Sequence, residues 1–236
     1  IESKLKIFNL QKKNNFALVN NNFKEIFKRK KYLSKLVPLK FIDYKKIKSK
    51  IKNNYLTSLT NDENMNFVFS LSKLLKISEK SFIKSMGSFI GLPHRHEVFL
   101  KKKYITFIND SKATSFQATK TALASSKNIY WILGGLPKKK DKINLKNLKY
   151  NIIKSYIIGK DINFFKKQLK NKVKFSVEVN LKKAVVSVLK DIRLLKKNKN
   201  TVLLSPSAAS FDQFKNFEQR GNVFKKLSRL YVKKFI

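Results

Sequence analysis

The chain has 236 residues, 42% hydrophobic and 12% aromatic, with a net charge of +40. That length accommodates one to two domains, and that apolar content excludes wholesale disorder. The absence of cysteine excludes disulfides and thiolate-bound metals, and the longest uncharged apolar stretches, 128–137 and 201–211, fall well short of the ~20 residues of a membrane helix.

The opening IESKLKIF is not a signal peptide, because no apolar core or cleavage pattern follows its charges. It also lacks Met, so a cytosolic chain that starts downstream of the protein's own N-terminus is expected. NFALVNN (15–21) reads as a strand, 43–52 and 64–77 as helices, and Ser78 as the cap of a helix that stops at Gly87. Gly91-Leu92-Pro93 reads as a hinge, giving expected domains 1–90 and 91–236. YITFI (104–108) alternates as a strand does, and a helix is expected over 114–126. NIYWILGG (128–135) is a buried-type strand ending in glycine. A weak helix near 143–152, a strand at 155–159, a helix at 161–170 and a strand at 173–177 follow. Asn180 is placed to cap a helix with apolar positions at Leu181, Ala184, Val185, Val188 and Leu189. NTVLLS (200–205) is the last strand, and a final helix is expected over 214–232. Strands alternating with helices predict an α/β fold with a mostly parallel, Rossmann-like sheet flanked by helices.

The charge comes from 54 Lys and Arg against 14 acids. Charge of that size favours nucleic acid or anionic membrane. Yet Arg stands only at 29, 95, 193, 220 and 229, and the background is a monotonous mixture of Lys, Asn, Ile, Phe and Leu. We read the Lys excess as a hypothesis of AT-rich coding; ordinary charge in unrelated proteins of the same source would refute it.

Against that background the scarce Gly, Pro and His cluster in four islands: GLPHRHE (91–97), INDSKAT (108–114), ILGGLPKKKD (132–141) and LLSPSAASFDQFKNFEQRG (203–221). Three follow expected strand ends, the edge where open α/β sheets bind ligands. Lys112 opens a helix beside free backbone N–H groups, a setting for phosphate or carboxylate. Asp110 suits a cation, a ribose or an incoming amine, or simply its helix dipole. Lys138 follows Gly-Gly, although Lys138, Lys139 and Lys140 are consecutive and the sequence does not single one out. His94 and His96 form an H-x-H pair without an acid cluster, which favours a hinge over a metal, and Arg95 between them suits a phosphate. Ser210 and Phe211 are expected to open a helix whose first turn holds a carboxylate. Phe214 and Phe217 have the helical spacing of core residues. No G-x(4)-G-K-[ST] occurs.

These four islands, in this order, resemble the Mur ligase family. The last is close to a signature of the branch that joins D-glutamate to UDP-N-acetylmuramoyl-L-alanine. The DNPR-type and GKGHE-type segments of the branches that add diaminopimelate or lysine are absent. The clear match spans 91–221, with weaker matches back to residue 1. The resemblance implies that 1–90 is the second half of a Mur-type ATPase α/β domain and 91–236 a D-glutamate-binding domain. It implies ATP and Mg²⁺ as cofactors, an acyl-phosphate intermediate, and a cytoplasmic monomer with no nucleic-acid or membrane partner. IESKLKIF is similar to the segment whose lysine becomes carbamylated and ligates Mg²⁺, here Lys4. Asn61 and Asn64 match a motif near adenine, with Thr60 where the family has His. Arg95 and Asp110 match residues near ATP. Lys112 and Thr114 match positions around D-glutamate and the reacting centre. Lys138, Ser210, Phe211 and Phe217 match the rest of the amino-acid pocket, with Ala208 and Pro137 as departures. Lys4, Lys112 and Asp110 are thus the implied catalytic group. Without the UDP-binding domain and the phosphate loop, this chain is expected to have no ligase activity alone. The rival expectations are a basic nucleic-acid-binding module and another amide ligase, such as a folylpolyglutamate synthase relative.

Overall fold

A computed structural model describes the chain except residues 1, 54–55, 58–60 and 196–198, and the side chains of residues 2, 4, 41 and 42. It divides into two compact units, Ile1–Ile90 and Gly91–Ile236.

The first unit contains α1 (Glu2–Asn9), β1 (Phe16–Val19), α2 (Lys24–Arg29), β2 (Lys35–Pro38), α3 (Phe41–Lys48), α4 (Asp62–Leu74) and α5 (Glu79–Ser88). β1 and β2 pair in parallel, with Phe16 opposite Lys35 and Val19 opposite Pro38. Such a pair needs a crossover, which α2 supplies. Phe27 of α2 packs there against Phe8 and Tyr32, with ring centroids 5.0 and 4.7 Å away. A separate core joins Tyr44 and Ile47 of α3 to Met65 and Phe69 of α4 and Phe82 of α5. Met65 and Phe69 are four residues apart, so they share one face of α4. Ser78 caps α5 as expected, accepting from Ser81 N (3.2 Å). The helix runs through Gly87 to Ser88, however, because Gly87 keeps ordinary negative φ. Its far end is satisfied by Asn53, whose amide donates to Met86 O (3.0 Å) and Phe89 O (2.8 Å).

The second unit contains β3 (Glu97–Lys102), β4 (Ile105–Asn109), α6 (Phe116–Ala124), β5 (Ile129–Gly134), β6 (Ile152–Ile158), α7 (Ile162–Leu169), β7 (Phe175–Val179), α8 (Leu181–Leu195), β8 (Asn200–Leu204) and α9 (Phe217–Phe235). The expected mostly parallel sheet is present, in the order β3-β4-β8-β5-β6-β7, with only β3 antiparallel to its neighbour. β5 and β8 are buried along their whole length, as central parallel strands must be. Alternation sends Tyr130, Ile132, Val202 and Leu204 towards α8 and α9. It sends Trp131, Leu133 and Leu203 to the opposite core with Leu123 of α6 and Phe165 of α7. Asn180 caps α8 by accepting from Lys183 N (2.9 Å).

Four elements, α1, α2, β2 and β3, stand where no element was expected. The weak helix near 143–152 is a 3-10 turn over Lys146–Asn151. The final helix starts at Phe217 rather than at 214, because the Asn216 side chain accepts from Gln219 N (2.8 Å) and fixes the start there. None of the described helices is long and apolar enough to cross a membrane.

Candidate functional site

β8 lies between β4 and β5, and the helices that follow β4 and β8 pack on opposite faces of the sheet. That is a topological switch point, the place at which open α/β sheets bind ligands. Asn109 is registered with Leu204, Ile132 with Leu204, and Gly134 with Ile158, so these strands end at one edge. The loops at 110–115, 135–141 and 205–216 all leave from that edge.

Asp110 is the buried anchor of the first loop. Its backbone N–H donates to Leu204 O (2.8 Å). Its carboxylate accepts from His96 N (3.0 Å) and from the Ser205 hydroxyl (2.7 Å). Ser205 also meets the Thr119 hydroxyl at 2.9 Å, and Ser207 donates to Thr119 at 2.9 Å. Ser205 has one proton and gives it to Asp110, so Thr119 must supply the proton between those two hydroxyls. Burial pushes the Asp110 pKa up to about 6, against the Ser205 and His96 hydrogen bonds and the Arg95 charge. The carboxyl is therefore held well above the ordinary carboxylate range.

The 94–97 segment is pinned from both sides. His94 and His96 both adopt left-handed backbone, with φ of 62° and 49°, an uncommon state for these residues. His94 N donates to Glu97 Oε2 (3.0 Å), and His94 O accepts from Lys112 N (3.0 Å). The Asn109 amide donates to Glu97 Oε2 (3.0 Å) and to His94 Nδ1 (2.9 Å). Lys225 closes the cluster on Glu97 Oε1 (2.9 Å). Burial, followed by the Lys225 charge, lowers the His94 pKa; burial lowers that of His96. The two imidazoles are engaged apart, His94 with Asn109 and His96 Nε2 with Ser125 (3.2 Å). Among the described residues no group of three or more His, Cys, Asp or Glu could hold a metal. Arg95, between the two pinned histidines, is exposed.

Lys112 is exposed, and its Nζ lies 3.8 Å from the centroid of the Phe217 ring, a close cation–π contact. Thr114 is half-buried two residues before α6. The Gly-Gly turn that leads to Lys138 permits a backbone approach closed to other residues. A Cβ on Gly134 would stand 1.9 Å from Ile158 O, and one on Gly135 2.2 Å from Ala209 O. Leu136 pairs with Ala209 through two backbone hydrogen bonds of 2.9 Å, locking the second loop to the third. Asp141 then accepts from Phe116 N (2.8 Å), which joins the second loop to the start of α6. Lys138 is exposed two residues beyond that bridge, beside Lys139 and Lys140.

Ser210 is buried, but it does not open a helix. Its carbonyl accepts from Gln213 N (3.1 Å) and Phe214 N (2.9 Å), making a turn that leaves Phe211 70% exposed. Phe217 instead heads α9, and its carbonyl accepts from the Ser111 hydroxyl (2.8 Å). The second unit thus gathers Arg95, Asp110, Lys112, Thr114, Lys138, Ser210, Phe211 and Phe217 on the segments of one sheet edge. In the first unit, Asn61 is half-buried just before α4 and Asn64 is exposed on its first turn. Lys4 belongs to α1, and its side chain lies outside the described residues, as does Thr60.

Sequence reasoning missed Arg220. It is 1% exposed, and its guanidinium donates to Ser111 Oγ (3.0 Å), Ser111 O (2.9 Å) and Ala208 O (3.1 Å). The signal was available: Arg is scarce in a Lys-rich chain, the same reason that singled out Arg95.

No protein-family model matches the chain. It is 33% identical to a UDP-N-acetylmuramoylalanine–D-glutamate ligase of Rickettsia felis, over 97% of this chain and 56% of that protein. It is 36% identical to one of Wolbachia from Brugia malayi, over 77% and 38%. It is 41% identical to one of Rhizobium meliloti, over 63% and 32%. The chain therefore spans from about a third to just over half of the length of these curated relatives. Among solved structures it resembles the MurF ligase of Thermotoga maritima in complex with ADP, with a TM-score of 0.60 at 13% identity over 99% of this chain and 57% of that one. It also resembles MurF of Acinetobacter baumannii, with a TM-score of 0.56 at 12% identity over 91% and 52%. The structural likeness carries the fold, and the sequence likeness extends over as much as 97% of the chain; together they make this chain a member of the Mur ligase family.

Proposed function

We propose that the chain is part of an ATP-dependent ligase that adds D-glutamate to UDP-N-acetylmuramoyl-L-alanine in cytoplasmic peptidoglycan precursor synthesis. On this reading residues 91–236 bind D-glutamate, and residues 1–90 contribute to the nucleotide site. The observation that carries it is the convergence of Lys112, Lys138, Ser210 and Phe217 on loops leaving one edge of the sheet. Two cations on such loops suit the two carboxylates of a dicarboxylic amino acid. Arg95, exposed between two pinned histidines, suits a nucleotide phosphate, and its charge is felt by Asp110.

ATP would supply the phosphoryl group that activates the alanyl carboxylate. This chain's own part is to orient the amine of D-glutamate and to neutralise charge that develops as the amide forms, through Lys112. Asp110, whose carboxylate accepts from His96 N and the Ser205 hydroxyl, is suited to hold in place the loop that carries Lys112. Lys4 is the proposed carbamylated ligand of Mg²⁺. Among the described residues no group of three or more His, Cys, Asp or Glu could hold the ion.

Titration of the chain with D-glutamate, followed by amide NMR, tests the reading. Shifts at Lys112, Lys138 and Ser210 are expected with D-glutamate, and weaker ones with L-glutamate or L-lysine. Equal responses to all three would refute it. No ADP release dependent on D-glutamate is expected from this chain alone; its detection would overturn the proposed dependence on further segments.

A further inference from the structure

Arg220 is a buried cation in an unfavourable place. It lies in the first turn of α9, where the helix dipole already concentrates positive charge. Among the described residues no carboxylate stands within ion-pair distance of it, and its Nη1 is buried without a hydrogen-bond partner. Burial lowers its pKa to about 10, with only the more distant Asp212 opposing. A buried charge is costly unless its geometry is used.

The use lies in what the guanidinium joins. Nε and Nη2 reach the hydroxyl and carbonyl of Ser111, next to Lys112. Nη2 also reaches Ala208 O in the loop after β8. The same Ser111 hydroxyl holds the carbonyl of Phe217 (2.8 Å), and the Phe217 ring carries the Lys112 ammonium. Ala208 precedes Ala209, which is bridged to Leu136 in the Gly-Gly loop. One planar fork therefore ties the first and third loops directly and the second through a single residue. A lysine ammonium is a point charge and cannot span these acceptors in the same way.

We infer that Arg220 is a positioning residue of the amino-acid site, fixing the spacing of Lys112, Lys138 and Ser210 without touching the ligand. This rests on the D-glutamate reading above. The test uses the ¹⁵N-labelled full chain, its Arg220→Lys and Arg220→Met variants, and D-glutamate as the probe. In both variants the amides of Lys112, Leu136 and Ala209 are expected to move before ligand is added, while those of β6 and α7 stay in place. D-glutamate affinity should fall about tenfold, the scale of one charged hydrogen bond. If Arg220→Lys matches the wild type in loop amides and affinity, charge alone suffices and the inference falls. If the wild type ignores D-glutamate while the loop amides still move in the variants, the functional reading fails and the coupling of the loops stands. Should Arg220→Met not fold, Ser111→Ala decides: it removes one acceptor and should displace the same amides by less, and no displacement overturns the inference.

Discussion

The two units hold their candidate residues in opposite ways. In the second, each candidate loop is tied to a neighbour by buried hydrogen bonds, and the ties rest on a six-stranded sheet packed on both faces. In the first, Asn61 precedes α4 and Asn64 lies on its first turn, and the described residues form a sheet of two strands. The contrast teaches that order at a site comes from what lies behind it. Asp110 has three anchors behind it in Leu204, Ser205 and His96, whereas Asn64 is exposed on the first turn of α4.

The strongest break of that contrast is at Gly134. Gly134→Ala drives a methyl into the Ile158 carbonyl at a φ of 132°. It should destabilise the second unit by about 3 kcal/mol or more, read by urea denaturation. An unchanged midpoint would mean that the Gly-Gly turn is not the fixed point described.

Asp110→Asn sharpens the contrast through pH. The folded carboxyl titrates near 6, against 3.8 for the ordinary group. A raised acid pKa favours the protonated, folded form, so its stability is full below about pH 4. It is lost between pH 4 and 6, and stays lost above. Above pH 6 the Asn variant should therefore be more stable than wild type by as much as about 3 kcal/mol, a gap that closes as pH falls to 4. A gap that does not change with pH would remove the raised pKa.

In the first unit, Asn53→Ala removes two hydrogen bonds to the end of α5. A loss of about 1 kcal/mol is expected, with faster amide exchange confined to the last turn of α5 and to Asn53, Leu56 and Thr57. Exchange that quickens across α3 and α4 as well would show a unit more cooperative than its two separate cores imply. The smallest effect concerns the net charge. Binding to single-stranded nucleic acid should be weak and disappear between about 50 and 200 mM salt. Binding that survives moderate salt would favour the nucleic-acid alternative over a general Lys excess.

Much of the second unit was legible because burial on both faces leaves a plain record. IYWIL and TVLLS are apolar runs that end at glycine or serine, and they proved to be β5 and β8. β3 was not legible: EVFLKK is an edge strand whose charged, half-exposed residues break the alternation. β2 is four residues long and ends in proline. The start of α9 was misplaced because Phe214 and Phe217 share helical spacing, which says nothing of the Asn216 cap lying between them. The candidate loops could be read from scarce residue types. Which residues hold them could not, because Ser111, Thr119 and Arg220 act through partners about 90 to 110 positions away in the chain.

The placement of β8 has a consequence for how the molecule is made. β4 and β5 are separated by a strand that comes later in the chain than β6, β7 and α8. A chain emerging from its N-terminal end can pair β3 with β4, and β5 with β6 and β7, but the two halves of the sheet have no shared border until residues 200–204 appear. Until then β4 and β5 each present an unpaired, apolar edge of the kind that recruits stray strands. The second unit is therefore sealed by β8, and the edge from which the candidate loops leave comes into existence in the same event that closes the sheet.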